Sequence, residues 1–237
     1  MPTNESTRLG MPLLQPAQAQ KHVTVNEALA RLDGLVNLVL QSVSSAQPPA
    51  SFTDGQCWGV SGNGAGAWAG RGGQIAIASN GGWVFLTPTP GMQAFVADMG
   101  VAAIHDESGW VAGAMTLGAL GSALTAGMAE AEVTVAAGGT FDTGVTIPSG
   151  AMVIGAAARV TQALSGSLSG WRLGTAGAEN RFGQGIGIAK DSWARGMLGT
   201  PMTYYQPAAL LMTAEGGTFS AGTVSLAVHW LSMRLPG

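Results

Sequence analysis

From Ser51 onward, glycine-rich turns divide the chain into pieces too short for helices of ordinary length. Gly62-Asn63-Gly64, Arg71-Gly72-Gly73, Asn80-Gly81-Gly82, Gly138-Gly139, Pro148-Ser149-Gly150 and Gly216-Gly217 recur between short apolar segments. An interior glycine weakens a helix, whereas a turn that needs positive φ favours one. The segments between the turns are Gln56-Cys57-Trp58-Gly59-Val60, Gln74-Ile75-Ala76-Ile77-Ala78, Trp83-Val84-Phe85-Leu86, Met92-Gln93-Ala94-Phe95-Val96-Ala97 and Gly109-Trp110-Val111. They read as strands, and Asn80-Gly81 is a hairpin signal between two of them. Residues 46–112 are therefore expected to form a small antiparallel β domain, interrupted at Pro88 and Pro90. Trp58, Trp68, Trp83 and Trp110 all fall within it and are expected in its core, because a small domain needs large side chains to bury enough area.

The same punctuation resumes after Glu132. Val133-Thr134-Val135, Val145-Thr146-Ile147, the run from Met152 to Thr161, Trp171-Arg172-Leu173, Met202-Thr203-Tyr204-Tyr205, Ala209-Leu210-Leu211-Met212-Thr213 and the run from Val224 to Trp230 alternate or are β-branched. Seven or more short strands at near-regular spacing predict a C-terminal β-sandwich of jelly-roll type over residues 132–237. Residues 113–131, rich in Ala, Gly and Leu, read as a connector, either a short helix or a loose segment.

The N-terminal part carries the clearest helical signals. Thr24 and Glu27 match the T-x-x-E capping box. Glu27 precedes Arg31 by four, the favourable order for an ion pair. Leu29, Leu32, Val36, Val39 and Val43 recur at spacings of 3, 4, 3 and 4, a heptad seam that predicts an oligomerisation helix over residues 24–45. Gly34 within it either weakens the helix or allows close approach of a neighbour. Gln47-Pro48-Pro49 ends it. Residues 1–23, with Pro2, Pro12 and Pro16 and the amides of Gln15, Gln18 and Gln20, read as an extended docking arm. The fold class expected is mainly β with one N-terminal α-helix.

Charged residues make up only 10% of the chain, with two lysines and a net charge of −3. No basic face is available for nucleic acid. Cys57 is the single cysteine, expected as a small buried hydrophobe. Residues 1–10 have no apolar core of a signal peptide. The uncharged stretch 109–129 holds too much glycine and alanine to span a bilayer. His105-Asp106-Glu107 reads as a solvated turn rather than a metal site. Gly183-Gln184-Gly185-Ile186-Gly187 lacks the context of a phosphate loop and reads as a flexible loop or bulged strand. No cofactor or metal is expected.

Candidate ligand residues cluster between 179 and 206. Trp193, Tyr204 and Tyr205 offer aromatic faces for sugar C–H surfaces, and Glu179, Arg181, Asp191 and Arg195 offer planar polar groups for hydroxyls. Trp171 and Tyr204 are equally well read as core. An enzyme that cleaves polysaccharide needs two facing carboxylates, for which the C-terminal half supplies Asp142, Glu179, Asp191 and Glu215. Nothing in the spacing brings two of them together, so no enzyme is expected.

Leu13-Leu14-Gln15-Pro16-Ala17-Gln18-Ala19-Gln20-Lys21-His22-Val23-Thr24, followed by Asn26-Glu27-Ala28-Leu29, resembles the opening of a phage-type family labelled as a domain of unknown function, found in prophages and gene transfer agents of alphaproteobacteria. Gly66-Ala67-Trp68-Ala69-Gly70 and Gly82-Trp83-Val84-Phe85 continue the likeness, which covers residues 8–112. Ile147-Pro148, Arg159-Val160-Thr161, Arg181-Phe182-Gly183 and Val228-His229 resemble the β-sandwich that follows this domain in head spikes and tail fibres. The resemblance implies a homotrimeric fibre or head spike on the surface of a virion or gene-transfer-agent particle. Such a protein would be assembled in the bacterial cytoplasm and released by lysis. It would dock on a capsid or tail protein through its arm and attach the particle to host capsular or surface polysaccharide, with no nucleic acid bound and no membrane insertion. The alternative of a different class is a capsule-depolymerising glycoside hydrolase or lyase. A third reading is an architectural subunit without a glycan site.

Overall fold

The computed structural model describes residues 4–14 and 21–237 and is mainly β, with one α-helix near the N-terminus. The chain divides into two compact units, Met1–Gly121 and Ser122–Gly237.

In the first unit, helix α1 spans Lys21–Leu35 and is followed by strands β1 (Val39–Leu40), β2 (Cys57–Gly59), β3 (Ile75–Ser79), β4 (Gly82–Leu86), β5 (Gln93–Val96), β6 (Val101–His105) and β7 (Trp110–Ala112). These form one seven-stranded sheet in the order β4-β3-β2-β1-β5-β6-β7. The central β1 runs parallel to both β2 and β5, and the remaining neighbours are antiparallel. The β3–β4 hairpin turns at Asn80 and Gly81 with φ of 52° and 70°. Two positive φ values are what the turn matching strand twist requires. The Asp54 carboxylate fixes this turn by accepting from the Asn80 and Gly81 amides at 2.9 and 3.2 Å.

The helix is shorter than the heptad spacing predicts. It starts at Lys21, so Thr24 lies inside it and caps nothing, although Arg31 does reach Glu27 at 2.6 Å. It ends at Leu35, where Asn37 takes a left-handed conformation with φ 48°. Such a residue commonly closes a helix. Beyond it Val39 pairs with Phe95 in the sheet, so Val36, Val39 and Val43 lie off the helix and no five-residue stripe exists. Leu29 and Leu32 remain on the helix, with Leu32 exposed. Gly34 sits where the helix touches the sheet. A Cβ there would lie 2.9 Å from the Ile77 methyl groups and 3.2 Å from the Cys57 sulfur, so glycine serves close approach.

The described part of the expected docking arm is not extended. Glu5 bridges Pro12, with a turn at Gly10, and the segment folds back onto the helix end. Asp33, only 3% exposed, accepts from the Ser6 hydroxyl at 2.7 Å and from the Arg8 and Leu9 amides at 3.0 and 2.7 Å. Arg8 in turn donates to the carbonyls of Asp33, Gly34 and Asn37, which the helix end leaves without intrahelical partners. Gln15, Gln18 and Gln20 lie outside the described residues, and residues 21–23 belong to the helix.

Alternation along the strands gives this unit two cores, one on each sheet face. Leu40, Cys57, Ile75 and Ile77 belong to one, and Trp58, Trp68, Ala76 and Ala78 to the other. Trp58, Trp68 and Trp83 meet with centroids 5.1–6.2 Å apart, and Phe52 lies 4.4 Å from Trp83. Trp110 instead meets the buried His105 edge-on at 5.0 Å. Burial pushes the His105 pKa down, opposed by Asp106. Asp106 itself accepts from the Ser108 and Gly109 amides and holds the turn.

Cys57 is fully buried, and desolvation raises its thiol from 9.0 to about 11. The folded state therefore favours the neutral thiol. That contribution is complete below pH 9.0 and lost as pH climbs towards about 11. Cys57 should resist alkylation at neutral pH in native protein and react promptly in denaturant, which a timed thiol-reagent assay reads directly.

The second unit contains β8 (Ala123–Thr134), β9 (Thr140–Ile147), β10 (Ala151–Gly166), β11 (Gly170–Thr175), β12 (Ala178–Ile186), β13 (Trp193–Tyr204), β14 (Ala208–Glu215) and β15 (Phe219–Arg234). One sheet is ordered β13-β10-β15-β8 and the other β12-β11-β14-β9. Counting from β8, that is sixth-third-eighth-first against fifth-fourth-seventh-second, the strand order of a jelly roll. Its core includes Val153, Val160, Trp171, Leu173, Phe182, Leu210, Met212 and Phe219. The expected connector 113–131 is partly strand, since β8 starts at Ala123 and pairs with β15 from Arg234↔Ala123 to Thr223↔Thr134. The glycine run from Gly183 is the bulged end of β12. One residue of β11 there, Arg172, faces two of β12, Gln184 and Gly185, between Trp171↔Ile186 and Leu173↔Gly183.

Candidate functional site

Successive side chains of a strand face opposite sides of a sheet. In the β13-β10-β15-β8 sheet, Ala194, Ala158, Leu226 and Val228 point into the core, so their neighbours point out. The strand register places those outward residues in rows. Trp193, Arg159, Ser225 and Glu132 form one row, and Arg195, Ala157, Ala227 and Glu130 form the next. The two central strands thus contribute small side chains at Ala157, Ala227 and Ser225, and the two edge strands contribute large ones. The result is an open trough of about 770 Å³ with an alanine floor. One wall is Trp193 and Arg195 of β13, and the other is Glu130 and Glu132 of β8.

The walls differ in chemistry. Trp193 is 61% exposed, with the Arg195 guanidinium carbon 5.8 Å from its ring centroid. Arg159 stands at one end of the floor, 3.9 Å from the Asp191 carboxylate. Glu132 accepts from the Ser225 hydroxyl at 3.0 Å and, more weakly, from Thr161 at 3.4 Å. Those hydroxyls fix its position. An exposed indole beside guanidinium and carboxylate groups suits a ligand with both C–H faces and hydroxyls.

The structure divides the seven residues expected to bind glycan. Trp193 and Arg195 line the trough, and Asp191 adjoins it through Arg159. Tyr204 does not take part. It is 8% exposed in the jelly-roll core, with its hydroxyl 3.4 Å from that of Thr175. Tyr205 is 80% exposed but follows the far end of β13. The register sets Trp193 opposite Arg159 and Tyr204 opposite Ala151, eight steps along β10, so Tyr205 lies roughly 26 Å or more from Trp193, too far to share a sugar unit. Glu179 and Arg181 stand on β12 of the other sheet, where Arg181 donates to the Met202 sulfur at 2.8 Å. Glu130, Glu132 and Arg159 escape a sequence reading of the site. The first two fall where an Ala- and Gly-rich stretch resembles a connector, and only the period-two position of Glu130 and Glu132 hinted at a shared face.

The carboxylates considered for catalysis are occupied separately. Asp142 accepts from the Gly144 amide at 2.9 Å. Glu215 lies 3.3 Å from Arg172 and accepts from the Gly185 amide at 3.0 Å. Among the described residues there is no group of three or more His, Cys, Asp and Glu side chains placed to hold a metal ion. No described helix is long and apolar enough to cross a membrane.

Residues 25–111 match the model of a family described as "Protein of unknown function (DUF2793)", a family found in phage-related proteins. The match lies within the first unit and leaves the jelly roll unassigned. No curated protein matches the chain. Among solved structures, a chain of the cyanophage Pam1 capsid asymmetric unit is similar at 18% identity over 47% of this chain and 84% of that one. Its TM-score of 0.32 is too low for the likeness to bear on fold or function.

Proposed function

We propose that this chain is a fibre or head-spike protein on the surface of a phage-type particle, and that its jelly roll attaches the particle to host capsular or surface polysaccharide. The observation that carries the reading is the trough, where an exposed indole faces two carboxylates across an alanine floor. The family match of the first unit and the resemblance to spike and fibre sequences support the particle location. The first unit is then the attachment end. Assembly as a homotrimer belongs to the same reading and rests on the resemblance alone, since the helix carries no continuous seam. A solution mass of three chains at micromolar concentration is the expected result.

Binding rather than cleavage fits the arrangement of the carboxylates. Glu130 and Glu132 stand on one wall, two residues apart on one strand, so their Cα atoms are about 7 Å apart. Hydrolysis of a glycosidic bond needs carboxyl groups flanking that bond. Two groups on the same wall approach a ligand from one side. In binding assays with capsular polysaccharide from strains the particle enters, Trp193→Ala should weaken binding about tenfold without unfolding the protein. Binding that is unchanged in that variant would remove the trough from the reading. Shortened polysaccharide after incubation with the wild-type protein would favour the hydrolase or lyase instead.

A further inference from the structure

Arg195 and Glu130 end the same row of the trough, with only Ala157 and Ala227 between them. Three strand spacings put their Cα atoms about 14 Å apart. Their side chains do not meet across the floor, and no ion pair joins them. Among the described residues neither the Glu130 nor the Arg195 side chain has a hydrogen-bond or ion-pair partner, and the Arg195 guanidinium lies near the Trp193 ring. In the neighbouring row Arg159, which stands on the central strand β10 with the Asp191 carboxylate 3.9 Å away, and Glu132 flank Ser225 in the same order. Along the Arg195 row the trough is therefore a positive rim and a negative rim held apart by a neutral floor.

A neutral sugar chain leaves both charges without a counter-charge. An acidic chain satisfies Arg195 and is repelled by Glu130 and Glu132, and a cationic chain satisfies those carboxylates and is repelled by Arg195. A repeat carrying one acidic and one amino group satisfies both rims at once. Resting on the polysaccharide-binding reading above, we infer that the trough takes a zwitterionic saccharide. Its acidic group sits against Arg195, its ammonium group against Glu130, and a ring face lies on Trp193.

Carboxymethyl chitosan, which carries both charges, is a suitable probe. Its fully N-acetylated form keeps only the acid, and chitosan oligosaccharide keeps only the amine. With the full-length protein in mildly acidic, low-salt buffer, the doubly charged polymer should bind about three- to tenfold more tightly than either singly charged one. Glu130→Gln should abolish its advantage over the acetylated polymer, and Arg195→Gln its advantage over chitosan. Both side chains point outward, and circular dichroism should show both variants folded. Equal binding of the three polymers, or variants that keep the preference, overturns the zwitterion assignment. If host capsule still binds in a Trp193-dependent way in that case, the attachment reading survives. If no polymer and no capsule binds, both fall. If the substitutions change only the mass in solution, the charges serve a contact between copies and the assignment falls.

Discussion

Replacing Trp171 by alanine should lower the stability of the jelly-roll unit by about 3–5 kcal/mol, the range for removing a buried tryptophan. The side chain is fully buried on β11, where its neighbours across the ladder are Ile186 and Ala214. Its indole N–H donates to the Gly187 carbonyl at 3.0 Å, so truncation removes packing area and leaves a carbonyl unpaired as well. Trp171→Phe keeps most of the area and should cost less than half as much. Calorimetry of the full chain, with hydrogen exchange to assign each transition, tests this. Protection should fall across residues 122–237 and hold in the first unit. A Trp171→Ala protein with unchanged protection in the second unit would mean that the indole is not the core side chain described.

The second large effect falls at the other end of the chain. Asp33→Ala removes the acceptor for three donors, the Ser6 hydroxyl and the Arg8 and Leu9 amides. Water can reach some of those groups once they are released, so the expected loss is about 2–4 kcal/mol rather than the sum of three buried bonds. The loss should be local. Residues 5–12 should become readily cleaved by protease, and the Arg8 and Leu9 amides should exchange quickly. Arg8→Ala should loosen the same segment by a different route, by uncovering the helix-end carbonyls. Asp33→Asn keeps the shape and part of the acceptor capacity, so it should fall between wild type and Asp33→Ala. A segment still protected in Asp33→Ala would show that it is held by something other than this carboxylate.

The strands were readable where a turn had distinctive chemistry. Asn80-Gly81 marked its hairpin because few residues accept positive φ in succession. The jelly roll was readable from strand number and spacing, because alternation survives in β9, β10 and β14. The helix boundary was not. Val36, Val39 and Val43 fit a 3-4 spacing, but valine is at ease in strands, and pairing of Val39 with Phe95 decided the outcome. Strand β8 was hidden for a related reason. Its Ala, Gly and Met residues carry little β preference, and its conformation comes from twelve residue pairings with β15. Missing that strand also hid the acidic wall. Trp193 and Arg195 were found because an aromatic face and planar polar groups cluster between 179 and 206, whereas Tyr204 looked alike in sequence and turned inward.

The alanine floor between two large-residue walls separates positions that the fold constrains from positions that it leaves open. Glu130, Arg195 and Trp193 stand on edge strands and face away from the core, while the residues beside them in sequence face into it. Substitutions at such outward positions usually change stability by within about 0.5 kcal/mol. If the trough binds as proposed, its ligand preference can change one residue at a time on a scaffold that does not register the change, provided that the floor stays small.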